Sequence, residues 1–65
     1  MEYKITVSYI DKTFNTYQHF FTAISQSPYQ AKLAYKKLKE LFTAPTYKVE
    51  VWEWQSRGVQ IDSWD

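Results

Sequence analysis

The sequence contains no cysteine, one glycine and two prolines among its 65 residues. Without cysteine, neither a disulfide nor a thiolate metal site can stabilise the fold. The lone glycine also excludes a glycine-rich loop of the kind that cradles phosphates. No apolar run is long enough to cross a bilayer, and the first ten residues lack the basic and apolar regions of a secretory signal. We therefore expect a single cytoplasmic domain over residues 1–65 with no membrane contact.

Aromatic residues are abundant by contrast, with six tyrosines, four phenylalanines and three tryptophans. A domain of this size buries only about 60% of the surface that its unfolded chain exposes, so its core is marginal. Each aromatic side chain buries about 150–250 Å². Dense aromatic packing can therefore take the place of disulfides, and we expect Tyr3, Tyr9, Tyr35, Phe42 and Tyr47 to serve the core.

The most regular pattern predicts a helix from about Pro28 to Phe42. Ser27 suits the N-cap, Pro28 suits the first helical position, and Gln30 completes a capping box. Apolar residues then recur at three- and four-residue spacing and form one stripe that faces the core. The stripe consists of Ala31, Ala34, Tyr35, Leu38, Leu41 and Phe42.

Alternating apolar and polar residues predict two strands before the helix, over Tyr3–Tyr9 and roughly Tyr17–Ile24. In the first strand the odd-numbered positions are apolar and face the core. The facing of the second strand is ambiguous, because the adjacent Phe20 and Phe21 point to opposite sides. We assign its inward positions to Tyr17, Phe21 and Ala23, and its outward position to Phe20.

A second hairpin follows the helix, with a strand over Tyr47–Trp54 and a turn over Gln55–Val59. Gly58 suits the left-handed position that a three-residue loop requires. That loop predicts the pairs Gln55–Val59, Trp54–Gln60, Glu53–Ile61, Trp52–Asp62, Val51–Ser63 and Glu50–Trp64. The three tryptophans then share one face. A two-residue turn centred on Ser56 and Arg57 would shift the register by one and place Trp64 on the other face.

These elements predict an α+β fold of order ββαββ, in which a single helix packs on one face of a mainly antiparallel four-stranded sheet. The helix stripe is expected to cover Ile5, Val7, Val49, Val51, Val59 and Ile61. Nothing in the pattern covers the opposite side of the sheet, which is called the open face below. An uncovered apolar sheet face predicts a binding surface.

Three tryptophans on the open face would expose up to about 450–750 Å², against about 300–600 Å² for the largest apolar patch of an ordinary monomer. We predict that Trp52, Trp54, Trp64 and Phe20 bind a protein partner, which would be a host protein or a second copy in a homodimer. Glu50 and Asp62 would form a charged rim. With Lys48 they give a net charge of −1, which favours a basic protein over nucleic acid. The alternative is cross-strand packing, with the indole rings over Lys4 and Thr6.

The outward side of the helix is basic, since residues 28–46 carry four lysines against one glutamate. Lys32, Lys36, Lys37 and Lys39, with Tyr29 and Leu33 as apolar anchors, form a second candidate patch for nucleic acid or an acidic partner. An ordinary solvated helix face, with Lys36 and Glu40 as a surface pair, explains the same pattern.

No combination of residues indicates catalysis. His19 is the single histidine, and no nucleophile or paired carboxylate stands near it in sequence. Glu50 and Glu53 fall on opposite faces of their strand, so no carboxylate cluster for a metal is predicted. We expect no enzymatic activity, no cofactor and no metal.

The layout resembles that of small phage-encoded anti-defence proteins, including some anti-CRISPRs. The resemblance lies in a tiny cysteine-free chain, in the strand Phe21–Ser25 leading into the helix at Pro28, and in a closing hairpin with a terminal tryptophan, Trp64. It implies binding to a host protein or nucleoprotein complex and inhibition by occupancy, and it assigns a role to no particular residue.

Overall fold

The computed structural model describes residues 2–54 and 57–61, which form four strands and one helix in the order ββαββ. The elements are β1 (Glu2–Asp11), β2 (Thr16–Ser25), α1 (Pro28–Leu41), β3 (Tyr47–Trp54) and β4 (Gly58–Ile61). The strands form one antiparallel sheet in the order β2-β1-β3-β4. The predicted α+β fold is confirmed.

The helix begins and ends at the signals in the sequence. The Ser27 hydroxyl accepts a hydrogen bond from the backbone N–H of Gln30 at 3.4 Å, as an N-cap does. The Ser27 N–H donates to the Ser25 hydroxyl at 3.2 Å, which anchors the cap to the end of β2. Phe42 is the C-cap, and its N–H donates to the carbonyl of Leu38.

The core lies between α1 and the centre of the sheet. Ile5 and Val51 are almost completely buried in one cluster with the helix residues Ala31 and Tyr35, and Val7 on β1 is also completely buried. Ala34 and Leu38 pack against the same cluster, so most of the predicted helix stripe is confirmed. Three residues predicted for the core are exposed instead: Tyr9 at 40%, Leu41 at 62%, and Val59 on the edge strand β4 at 55%. The helix contacts mainly β1, β2 and β3, so Val59 on β4 lies beyond the strands that it covers, and Leu41 is the last residue of the helix.

A β-bulge in β2 changes which side chains face the helix. Val7 pairs with Phe21, but the next residue, Ser8, pairs with His19, so Phe20 is the extra residue. Phe21 and Ala23 face the helix as predicted. Before the bulge the alternation is inverted, so Tyr17 and His19 lie on the open face. The predicted inward orientation of Tyr17 is therefore wrong.

Phe20 itself packs on the helix side of the sheet. Its ring centroid lies 6.0 Å from that of Phe42, the residue that caps the helix. The predicted outward orientation of Phe20 is wrong, because the bulge places two consecutive phenylalanines on the same side. Phe20 thus does not share the open face with the tryptophans.

The C-terminal hairpin keeps its predicted faces but not its predicted register. The observed pairs are Val51–Ile61, Trp52–Gln60, Glu53–Val59 and Trp54–Gly58. The strand is displaced by two residues from the predicted pairing, and an even displacement leaves every side chain on the same face. Gly58 has no positive φ, so the left-handed role predicted for it is also wrong.

Candidate partner-binding surfaces

The open face carries two of the three tryptophans at its centre. Trp52 and Trp54 project from β3 beside the even-numbered residues of β1, with which they pair. They line a shallow groove of about 430 Å³ together with Lys4, Thr6, Ser8, His19 and Gly58. No helix or strand among the described residues covers this groove. Trp64 and Asp62, predicted for the same surface, lie outside the described residues.

Trp52 is held against the sheet by a hydrogen bond. Its indole Nε1–H donates to the Thr6 hydroxyl at 3.2 Å, and the side chain is half-buried. Thr6 lies on β1, and its hydroxyl also approaches the Glu50 carbonyl of β3 at 3.5 Å. The indole is therefore fixed in one orientation across two strands.

Trp54 is fixed by a cation and by a glycine. The Lys4 ammonium lies 4.1 Å from the centroid of the Trp54 ring, a cation–π contact. A Cβ atom at Gly58 would overlap Cζ3 and Cε3 of the same ring, so the absence of a side chain there makes room for it. These contacts agree with the alternative prediction, in which the indole rings pack over Lys4 and Thr6. Trp54 nevertheless remains 37% exposed.

Charges on the described part of the open face are balanced. Glu2 and Lys4 flank Trp54 and Trp52 in the β1–β3 register, and Lys48 and Glu50 lie further along β3. Lys48 and Glu50 form an ion pair at 3.6 Å. These four residues sum to zero, because Lys4 offsets Glu2 and Lys48 offsets Glu50. An acidic rim would depend on Asp62, which is outside the described residues.

A second aromatic surface lies at the end of the sheet near the helix C-terminus. The Phe20 ring centroid is 5.2 Å from that of Phe21 and 6.1 Å from that of Tyr9, in addition to its contact with Phe42. Tyr47 stacks on it at 6.4 Å. The sequence signal for this cluster is the adjacent pair Phe20 and Phe21. Strand alternation alone places these two residues on opposite faces, so it does not predict the cluster. Phe20 stays 53% exposed in the cluster.

The outward side of the helix is basic and solvated. Lys32, Lys36, Lys37 and Lys39 are all exposed, as are Tyr29 and Leu33. The Lys39 ammonium lies 5.1 Å from the ring centroid of Tyr35, so it covers a core tyrosine. The patch predicted from the sequence is thus brought together on one element, with Tyr29 69% exposed at its N-terminal end.

His19 and the acidic residues form no metal-binding cluster in the described ranges. His19 forms a 2.7 Å hydrogen bond between its Nε2 and the Thr22 hydroxyl. Across residues 2–54 and 57–61, no group of three or more His, Asp or Glu side chains could hold a metal ion. In the same ranges no helix has the length and apolarity that a membrane span requires.

Comparison of the chain with known protein families, with curated proteins and with solved structures finds no match. Its function is therefore inferred from the surfaces described above.

Proposed function

We propose that this chain is a non-enzymatic binding module that contacts a protein partner through the open face, with Trp52 and Trp54 as anchors. The observation that carries the proposal is an indole, Trp54, that is partly exposed beside a groove which no described element covers. Tryptophan is enriched among the residues that dominate binding energy at interfaces. A bound partner would cover this surface and remove the exposed part of the indole from water.

The indoles are already held in position before any partner binds. The hydrogen bond from Trp52 to Thr6 and the Lys4 ammonium over Trp54 restrict the rotamers of both rings. Ordering a free side chain on binding costs about 0.5–1.5 kcal/mol. Preorganised rings avoid much of that cost, which supports their role as anchors.

The surroundings of the indoles suit a protein surface better than a phosphate backbone. The charges of Glu2, Lys4, Lys48 and Glu50 cancel, so the described face offers no excess of cations to displace the counterions of nucleic acid. A protein surface of mixed charge complements it. The proposed preference for a basic partner requires the additional carboxylate of Asp62.

The proposed mode of action is occlusion, in which the bound module blocks or bridges other contacts of its partner. Inhibition of a host system by occupancy, which the resemblance to phage anti-defence proteins implies, is the form of this proposal that requires no catalytic group. Self-pairing through the open face is the competing use of the same surface.

An affinity experiment with matched variants tests the proposal. Wild-type protein, Trp54→Ala and Tyr29→Ala are used as bait in an extract of the native host, and the recovered partner is then titrated by calorimetry. Tyr29 is an exposed aromatic residue on the outward side of the helix. We expect Trp54→Ala to weaken binding at least about tenfold, as loss of a hot-spot residue does, and Tyr29→Ala to bind as wild type. Equal affinity of Trp54→Ala and wild type would exclude the open face as the site.

A second candidate function is binding of nucleic acid by the helix. The observation in its favour is that the exposed side chains of Tyr29 and Leu33 stand among the exposed lysines of one helix. Such binding would weaken as salt rises, because lysines displace counterions from phosphates. Titration of single- and double-stranded nucleic acid at low and moderate salt tests it. Absence of affinity at low salt would leave the patch as a solvated face.

A further inference from the structure

Strand β2 forms a long open edge of the sheet. In the strand order β2-β1-β3-β4, β2 pairs with β1 alone among the described strands. It is ten residues long, whereas the strand at the opposite edge, β4, has four. The backbone donors and acceptors along the outer side of β2 are therefore available to another strand.

The composition of β2 offers little protection against pairing. Its sequence, TYQHFFTAIS, contains no Asp, Glu, Lys, Arg or Pro, although charged residues and proline are the usual means of blocking an exposed edge. The bulge at Phe20 is its one protective feature, and it lies near the middle of the strand. An uncharged strand can align with an identical copy of itself without placing like charges opposite each other.

The part of β2 that follows the bulge is regular. Residues Phe21–Ser25 pair one to one with β1 over five consecutive positions. Ala23 is the midpoint of this segment. On the open face this segment displays Thr22 and Ile24, and Ile24 is 61% exposed. Both are β-branched residues of the kind that pack well across paired strands.

We propose that β2 pairs antiparallel with β2 of a second copy of this chain, about a twofold axis at Ala23. In that register Thr22 lies opposite Ile24 of the second copy, twice by symmetry, and Ala23 lies opposite its own equivalent. The two sheets become one sheet of eight strands. Because the axis is perpendicular to the sheet, both open faces lie on the same side, and the proposal does not depend on what those faces bind.

Sedimentation equilibrium over a range of concentrations tests the dimer, with Thr22→Lys as the variant and Thr13→Lys as the matched control. Thr13 is exposed in the turn between β1 and β2, and far-UV circular dichroism checks that both variants fold. We expect the wild type to dimerise, Thr22→Lys to raise the dimer dissociation constant about tenfold or more because both Thr22–Ile24 contacts are lost, and Thr13→Lys to behave as wild type.

Disulfide trapping tests the register independently of any loss of fold. The chain has no cysteine, so Ala23→Cys introduces a single thiol. Opposed residues in an antiparallel pair have Cα atoms about 4.5–5.5 Å apart, a separation that a disulfide spans. We expect Ala23→Cys to form a covalent dimer under mild oxidation much faster than Thr13→Cys does.

Three results would overturn the proposal. They are a monomeric wild type at every concentration, a dimer that Thr22→Lys leaves unchanged, and equal trapping rates for the two cysteine variants. A dimer that is weakened by Trp54→Ala and not by Thr22→Lys would assign self-association to the open face.

Discussion

Replacing Gly58 by alanine tests why the single glycine of the chain stands where it does. Gly58 lies opposite Trp54 with a φ that is not positive, so alanine fits the backbone. A Cβ atom there would nevertheless overlap the six-membered part of the Trp54 ring and lie 3.1 Å from its Cη2. The ring must therefore move away, and it leaves the Lys4 ammonium when it does.

The expected effect is the sum of three terms, two that destabilise the fold and one that stabilises it. Overpacking of this kind typically costs about 1–3 kcal/mol, and loss of an exposed cation–π contact costs about 0.5–1 kcal/mol. Alanine in place of glycine in a strand returns about 0.5–1 kcal/mol, chiefly through the entropy of the unfolded chain. We expect Gly58→Ala to lower the free energy of unfolding by about 2 kcal/mol, equivalent to about 8–16 °C in Tm.

A double-mutant cycle with Trp54→Ala tests whether Gly58 is required by the Trp54 ring or by the backbone conformation. When the ring is absent, the overlap disappears and Gly58→Ala should stabilise the protein by about 0.5–1 kcal/mol. Urea unfolding followed by far-UV circular dichroism measures all four proteins without depending on the indole signal. If Gly58→Ala costs the same with and without the Trp54 ring, the glycine serves the backbone and the steric reasoning is wrong.

Three further variants probe the core, the aromatic cluster and the helix cap by urea unfolding. Ile5→Ala should cost about 2–5 kcal/mol because the side chain is fully buried. That is enough to unfold much of a domain whose total stability is about 3–10 kcal/mol. Leu41→Ala, at a side chain that is 62% exposed, should stay within about 0.5 kcal/mol, and equal losses would contradict the burial pattern. Phe20→Ala should cost about 1–3 kcal/mol through its ring contacts, and the exposed Phe14 serves as control; a neutral Phe20→Ala would mean that the cluster does not form. Ser27→Ala should cost about 1 kcal/mol, and no loss of stability would show that its hydroxyl does not cap the helix.

The fold follows from signals that act over a few residues. The alternation from Tyr47 to Trp54 predicts the observed limits of β3, and Ser27 and Pro28 predict where α1 begins. Both patterns reflect burial of one side of an element, which is the dominant stabilising effect. The ββαββ order could therefore be predicted without knowledge of any contact.

The bulge could not be predicted in the same way. Adjacent phenylalanines break the alternation, and periodicity cannot indicate which one is the extra residue. The choice is made by packing at a distance in sequence, since Phe20 gains contacts with Phe42 and Tyr47 only on the helix side. Its consequence extends along the strand, because inserting one residue inverts the faces of Tyr17 and His19.

The composition of the open face was predicted more accurately than its pairing. Trp52 and Trp54 share a face in any register, because they are two residues apart on the same strand. The predicted position of the turn depended on the assumption that Gly58 adopts a left-handed conformation, whereas Gly58 accommodates a neighbouring ring. Leu41 was misassigned because helical periodicity alone does not indicate which residue of an apolar stripe is the last one to be covered.

The strand order means that the sheet consists of two local hairpins joined along a single seam between β1 and β3. Ile5 and Val51, the centre of the core, are opposed across that seam, so neither hairpin has a core of its own. An isolated two-stranded hairpin is marginally stable in water. The described part of the molecule should therefore unfold in one cooperative step. Its folding rate should depend on closing the loop that brings Thr6 to Trp52, 46 residues away in sequence.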